Sequence, residues 1–254
     1  MTLVAVEDRG PARWILFDRP EKRNALSPDM IAEVLEVLHG ALEDSSVRAV
    51  VLSGRGPAFC AGADLQTGKE LAAAGEGAPN PFAVLLRDLQ HAPVPVIAAV
   101  NGPAFGGGLG LVAAADIVLA AKEAVFSFSE VRLGLIPAMI SVVVLPKIGP
   151  HQARRLFLTG RRFSASEAVD VGLVHRVVAG DELAAAVAEE VDQIARGGPR
   201  AVAEAKRLIH EIPGLTEDEA FAEAARRFAD CVGSEEGQEG MAAFVEKRAP
   251  GWRA

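Results

Sequence analysis

Short runs of apolar residues, separated by polar punctuation, open the chain. Val4–Glu7 and Arg13–Phe17 flank the turn pair Gly10–Pro11, which predicts a β-hairpin. After the polar stretch Arg19–Asn24, Ser27 and Pro28 suit the N-cap and first turn of a helix reaching about Glu43, with Met30, Ile31, Val34, Leu35 and Leu38 on one face. The runs Ala49–Ser53, Val94–Val100, Asp116–Ala120 and Leu173–Val178 are short, apolar and rich in β-branched residues, and read as buried strands. A helix over Phe82–Leu89 precedes the second of them; Gly54–Asp64 reads as a loop and the Ala/Gly-rich Gly68–Pro81 as a mobile segment. From about Asp181 the pattern is helical only, in Glu182–Ala195, Pro199–Glu211, Glu217–Val232 and Ser234–Lys247.

Strands alternating with helices define an α/β chain whose ligand loops sit at the carboxyl ends of the strands. The amphipathic tail, as in Leu183, Val187, Val191 and Ile194, must pack on this body or on another subunit, so the chain divides into a core over 1–180 and a helical region over 181–254. Its 254 residues are half hydrophobic, enough for a full core. The net charge of −8 disfavours nucleic acid and anionic membrane surfaces as partners. Cys60 and Cys231 form no disulfide framework, no signal-peptide core opens the chain, and no run approaches the ~18 apolar residues of a membrane span. These features place the protein in the cytoplasm.

The candidate chemistry lies between Asn101 and Glu130. Gly106, Gly107 and Gly108 follow a strand, and a helix over Gly107–Ala115 would begin with amides that have no internal partner. Glu130 arrives twenty-two residues after the last of these glycines. Free amides stabilise an oxyanion and a carboxylate moves a proton, the two requirements of enolate chemistry beside a carbonyl. The glycines read equally as a device for a tight turn or close packing. A second small-residue loop, Ala58–Leu65, follows the strand Ala49–Ser53 and can lend another amide. Gly108, Gly110 and Ala113 also spell G-x-G-x-x-A, but seven residues separate Val100 from Gly108, where a dinucleotide fingerprint would start at once. Asp116 reads as structural, and the five histidines form no metal-ligand cluster. Ser127 and Ser129 flank Glu130, and Arg132, if on a strand, would share its face and lower its pKa, but a solvated arginine is the first reading.

The segments PVIAAVNGPAFGGGLGL, AFCAGADL, FSEVRLGLIP and GMAAFVEKR, in this order, resemble the crotonase (enoyl-CoA hydratase/isomerase) superfamily over nearly the whole chain. The resemblance implies an α/β, crotonase-like spiral of ββα units with a C-terminal helical trimerisation region, acyl-CoA thioester substrates, and a homotrimer or a dimer of trimers. It implies no metal and no cofactor beyond the coenzyme A carried by the substrate. By position, Ala63 and Gly107 match the oxyanion-hole amides and Glu130 the acid/base. Lys22, Arg23, Ala25, Leu26, Ala61, Asp64 and Leu65 match the coenzyme A edge, and Phe244 and Lys247 match positions that reach the ligand, commonly in a neighbouring subunit.

One position departs from the pattern. Hydratases of the family usually carry a second glutamate in the helix after the glycines, and here that place is Gly110. Hydration of a 2-enoyl-CoA with Glu130 as acid/base is the first expectation, since FSEVRLGLIPAMIS and GGGLGLVAAAD resemble enoyl-CoA and methylglutaconyl-CoA hydratases of fatty-acid and branched-chain breakdown. Two alternatives remain: a 3-enoyl- to 2-enoyl-CoA isomerase using Glu130 alone, and a non-catalytic binder of CoA thioesters. Acyl specificity would come from residues within Gly68–Leu89 and Ala138–Val144.

Overall fold

A computed structural model describes residues 2–67 and 79–253, so most of the Gly68–Pro81 segment lies outside the described residues. Strands β1 (Val4–Arg9) and β2 (Ala12–Phe17) form the expected antiparallel hairpin. Strands β3 (Ala49–Gly54), β4 (Val96–Val100), β6 (Ile117–Ala121) and β9 (Arg176–Val178) extend it in parallel, in the order β1-β2-β3-β4-β6-β9. A second, three-stranded sheet of β5 (Ala104–Phe105), β7 (Val125–Ser127) and β8 (Arg162–Ser164) was not foreseen. Strands of two or three residues show no period for a sequence pattern to reveal.

Both faces of the large sheet are covered, as parallel strands require. Ile15, Phe17, Val50, Leu52, Val96, Ala98 and Val118 point to one side, into a core shared with helices α1 (Pro28–Glu43), α2 (Pro81–His91), α3 (Gly107–Ala114) and α4 (Ala138–Thr159). The alternate residues, among them Trp14, Leu16, Val51, Ile97, Ala99 and Leu119, meet Leu183, Ala186, Val187 and Val191 of α6 (Leu183–Arg196). The short α5 (Ala165–Asp170) follows β8, and α7 (Pro199–Glu211), α8 (Glu217–Val232) and α9 (Glu235–Glu246) complete the tail. Ser27 caps α1 through the Met30 amide with Pro28 in its first turn, as the sequence predicts. Helix α4 was not predicted: Pro146 and Pro150 interrupt its pattern, and its two halves meet at Gly149, where φ is 68°.

Two polar groups hold this frame together. Asp116 accepts from the Val96 amide at 2.7 Å and from Lys206 Nζ at 2.6 Å, while Lys206 also donates to the Leu89 and Val94 carbonyls. That bears out the structural reading of Asp116 and ties α7 to the body. Asn24, which sequence reasoning passed over, is buried with φ of 56°. Its side chain accepts from the Arg19 amide at 2.9 Å and donates to the carbonyls of Arg55 at 3.0 Å and Ala58 at 2.8 Å. Asparagine tolerates the left-handed backbone and supplies both a donor and an acceptor. Replacing it leaves buried groups unpaired at a cost of about 1–3 kcal/mol each, so Asn24→Ala should lower the unfolding free energy by roughly 2–4 kcal/mol in urea titration, and Asn24→Asp, which cannot donate, by a similar amount.

Candidate active site

The loops that follow β3 and β4 leave the same edge of the sheet and are laced together. The Asn101 side chain accepts from the Gly54 amide at 3.0 Å and donates to the Gly56 carbonyl at 3.0 Å. Phe59 and Cys60 donate to the Pro103 carbonyl, and Phe105 donates back to Cys60, forming a Cys60–Ala104 bridge. A third segment joins from the β2–α1 connection: Leu26 donates to Gly62 and accepts from Asp64, each at 2.8 Å, and Ala61 donates to Arg23. Three stretches of backbone therefore meet where only small residues allow it.

At this junction the candidate groups converge. The Leu26–Ala63 bridge uses the neighbours of Ala63 and leaves its own N–H turned away from Leu26. Gly107 opens α3, so its N–H has no partner within the helix. A Cβ placed on Gly107 would lie 3.7 Å from the Ala63 nitrogen, and one on Gly62 would lie 3.4 Å from the Gly107 nitrogen, which sets the two amides side by side. Gly106, with φ of 48°, has the Glu130 Oε1 atom 3.3 Å from its notional Cβ. Its amide donates to Ser127, so β7 delivers the chain to Glu130 directly beside the glycines.

Glu130 opens a 3-10 turn, Glu130–Leu133, and does not lie on a strand. This bears out the solvated reading of Arg132: its side chain is exposed and its guanidinium lies 3.4 Å from the Thr159 carbonyl. Burial raises the Glu130 pKa above the ordinary carboxylate value, and no guanidinium opposes that shift. Its Oε2 atom is buried without a hydrogen-bond partner among the described residues. The Ser127 hydroxyl donates to the Gly160 carbonyl at 3.0 Å and is thereby committed to the backbone.

The remaining candidates fall into two groups. Lys22 and Arg23 are exposed, Ala25 is half-buried, Leu26 is buried, and Ala61, Asp64 and Leu65 lie on the facing loop. Lys22 Nζ reaches Gln66 Oε1 at 3.5 Å across the two segments. The buried Asp64 carboxylate is held below its ordinary pKa by the Gln66 amide and by Arg19, 2.9 Å away, and so braces the loop. Phe244, on α9, and Lys247, which caps that helix, are exposed in the single chain. The Gly110 position faces Ile140 and Phe82, which the sequence ranges for the acyl pocket include without singling out. Cys60 is buried, with its thiol pushed up to about 12, and is inert packing. Among the described residues no group of three or more His, Cys, Asp or Glu is placed to hold a metal, and no helix is long and apolar enough to cross a membrane.

Fold and site define an α/β protein with paired free amides and one desolvated carboxylate at the carboxyl edge of a parallel sheet. The family model for enoyl-CoA hydratase/isomerase matches residues 12–254, and the chain belongs to that family. It is 36% identical to the carnitinyl-CoA dehydratase of Proteus mirabilis over 255 aligned residues, covering 96% of each chain. The fold matches an enoyl-CoA hydratase crystal structure from Shewanella pealeana with a TM-score of 0.93 at 35% identity, covering 99% of this chain and 96% of that one. It matches Pseudomonas aeruginosa AtuE with a TM-score of 0.93 at 39% identity over the whole of both chains. The protein is thus an enzyme of the hydratase/isomerase family with the crotonase fold.

Burial of Glu130 has a measurable consequence for stability. A carboxyl whose folded pKa lies above its unfolded value contributes stability that is complete below about 4.5 and is lost as pH rises through the folded value. Glu130→Gln should therefore melt above the wild type at neutral pH, with the difference vanishing below pH 4.5 in a series of thermal melts.

Proposed function

We propose that the protein hydrates a 2-enoyl-CoA thioester reversibly, with Glu130 as the single proton carrier and the Ala63 and Gly107 amides as donors to the thioester oxygen. The observation that carries this reading is the convergence of those two amides with one partly buried carboxylate around Gly62 and Gly106. Glu130 takes a proton from water as the water oxygen bonds to C3. The C2–C3 π pair then moves into the enolate, whose oxygen lies on the two amides. The proton on Glu130 passes to C2 and restores the carboxylate. A raised pKa suits a group that must be base in one half of the step and acid in the other. Relatives named as an enoyl-CoA hydratase and a carnitinyl-CoA dehydratase support the choice, since adding and removing water are one reaction in two directions.

Coenzyme A enters as part of the substrate, with Lys22 and Arg23 meeting its phosphates and Ala25, Leu26, Ala61 and Leu65 lining its path. Local charge outweighs the screened net charge of −8 over such distances. A second reading, 3-enoyl- to 2-enoyl-CoA isomerisation, is favoured by one observation: the Gly110 side carries hydrocarbon, where a second carboxylate would hold water. We further propose a homotrimer or dimer of trimers. Leu133, Ile136, Val142, Phe221, Phe228 and Phe244 are each more than half exposed in the single chain, and a neighbouring copy would cover them and bring Phe244 and Lys247 to a site.

Product mass in heavy-oxygen water separates the readings: hydration labels a 3-hydroxyacyl-CoA, and isomerisation of a 3-enoyl-CoA gives unlabelled product. Glu130→Gln should lower kcat by about 10²–10⁴-fold with coenzyme A affinity retained. In the wild type the acid limb of kcat/KM should lie above the ordinary carboxylate value of 4.5, because only the deprotonated form accepts the proton. Binding of CoA thioesters with no turnover of either substrate would sink both readings. Sedimentation at micromolar concentration should give three or six copies, and a monomer would refute the assembly.

A further inference from the structure

Gly110 lies one turn beyond Gly106 and Gly107 on α3, so the three share a face. Gly106 faces the Glu130 carboxylate, Gly107 faces Leu26 and Phe82 with the Ala63 amide just beyond, and Gly110 faces hydrocarbon alone. A Cβ at position 110 would stand 2.5 Å from Ile140 Cγ2 and 3.3 Å from Phe82 Cζ, and the same Phe82 atom would lie 3.5 Å from a Cβ at position 107. The tip of the Phe82 ring therefore rests against both Gly107 and Gly110, with Ile140 beside it at Gly110. Both side chains are buried. Neither gives way easily: Ile140 is β-branched and stiff at χ1, and Phe82 sits in the first turn of α2, where the Asn80 side chain accepts from its amide.

We propose that Ile140, backed by the Phe82 ring, is a steric gate that fills the Gly110 side of the site, keeps any second carboxylate off that side of the acyl group, and confines proton transfer to Glu130. The inference rests on the reading that this site holds an acyl thioester. Truncation of Ile140 alone opens a space still walled by hydrocarbon, and such cavities stay dry. A carboxylate at position 110 is excluded by contact with Ile140 and becomes tolerable only once that contact is removed.

The test uses the full-length oligomer with 2-enoyl- and 3-enoyl-CoA in heavy-oxygen water. Ile140→Ala should leave the ratio of labelled to unlabelled product within about threefold of wild type, and Gly110→Glu should lower turnover by about tenfold or more. The double variant Gly110→Glu/Ile140→Ala should regain about tenfold over Gly110→Glu. Its acid limb of kcat/KM should also move to higher pH, because a second carboxylate facing Glu130 raises the pKa of the pair. If Gly110→Glu does not fold, Gly110→Ala makes the same contact with less bulk. Its loss of kcat should be relieved by Gly110→Ala/Ile140→Leu, which moves the branch away from position 110 while keeping the volume.

Full activity in Gly110→Ala, or double variants no better than their folded single parents, would overturn the gate. A wild type that isomerises but adds no labelled water defeats the hydration reading and leaves the gate to be judged on isomerisation rate and the pH limb. Should the wild type do neither, the gate stands only if Gly110→Glu/Ile140→Ala acquires labelled product. Hydration by the wild type with no recovery in the doubles defeats the gate alone.

Discussion

The close approach of two backbone segments, the loop after β3 and the start of α3, at Gly62, Gly106 and Gly108 is the constraint on which the rest depends. A Cβ at Gly108 would meet the Cys60 carbonyl oxygen at 2.5 Å, and one at Gly62 would meet the Phe105 carbonyl oxygen at 2.8 Å. Without side chains the start of α3 can lie directly against the β3 loop, and that contact sets the Ala63 and Gly107 amides beside each other. Gly62 and Gly106 add positive φ, which alanine would hold only with strain. Everything farther out, the Asn101 brace, the buried Asn24 and the Cys60–Ala104 bridge, keeps these loops at that separation.

Much of this was legible beforehand because it rests on long or strongly patterned segments. The runs that became β3 and β4, the Ser27–Pro28 start of α1, and the four helices of the tail follow from apolar periodicity and capping residues. The small sheet was not legible, since β5, β7 and β8 are too short to carry a period. That sheet has a direct consequence for the site. Strand β7 ends at Ser127, so Glu130 falls in a tight turn, and the side-chain alternation of a strand does not extend to Arg132.

The site shows the same division between local chemistry and long-range packing. Glycines next to a strand and a carboxylate downstream identify groups that could serve enolate chemistry, but not what surrounds them. Asn24 had a signal in the polar stretch after β2, though its role depends on carbonyls more than thirty residues away. Gly110 showed that a carboxylate was missing; only the packing of α2 and α4 on α3 shows that Ile140 and Phe82 occupy the space. Pro146, Gly149 and Pro150 hide the very helix that supplies Ile140.

Electrostatics and packing meet in Glu130. A carboxylate with a buried, unpaired oxygen is a liability to the folded chain, and a guanidinium in reach would remove the liability together with the basicity. The chain carries many such pairs elsewhere, including Arg19 with Asp64 and Arg55 with Asp18. At Glu130 the nearest arginine in sequence is turned out by the 3-10 geometry, and the adjoining face of α3 offers glycine backbone followed by the Ile140–Phe82 wall. Desolvation therefore outweighs the one opposing influence, a hydrogen bond from the backbone of Glu130 itself, and the carboxyl pKa stands above its ordinary value, as the proposed acid/base role asks. Glycine at position 110 belongs to the same arrangement: it admits the Ile140 and Phe82 hydrocarbon, and in the proposed reaction the proton transfer falls to one residue.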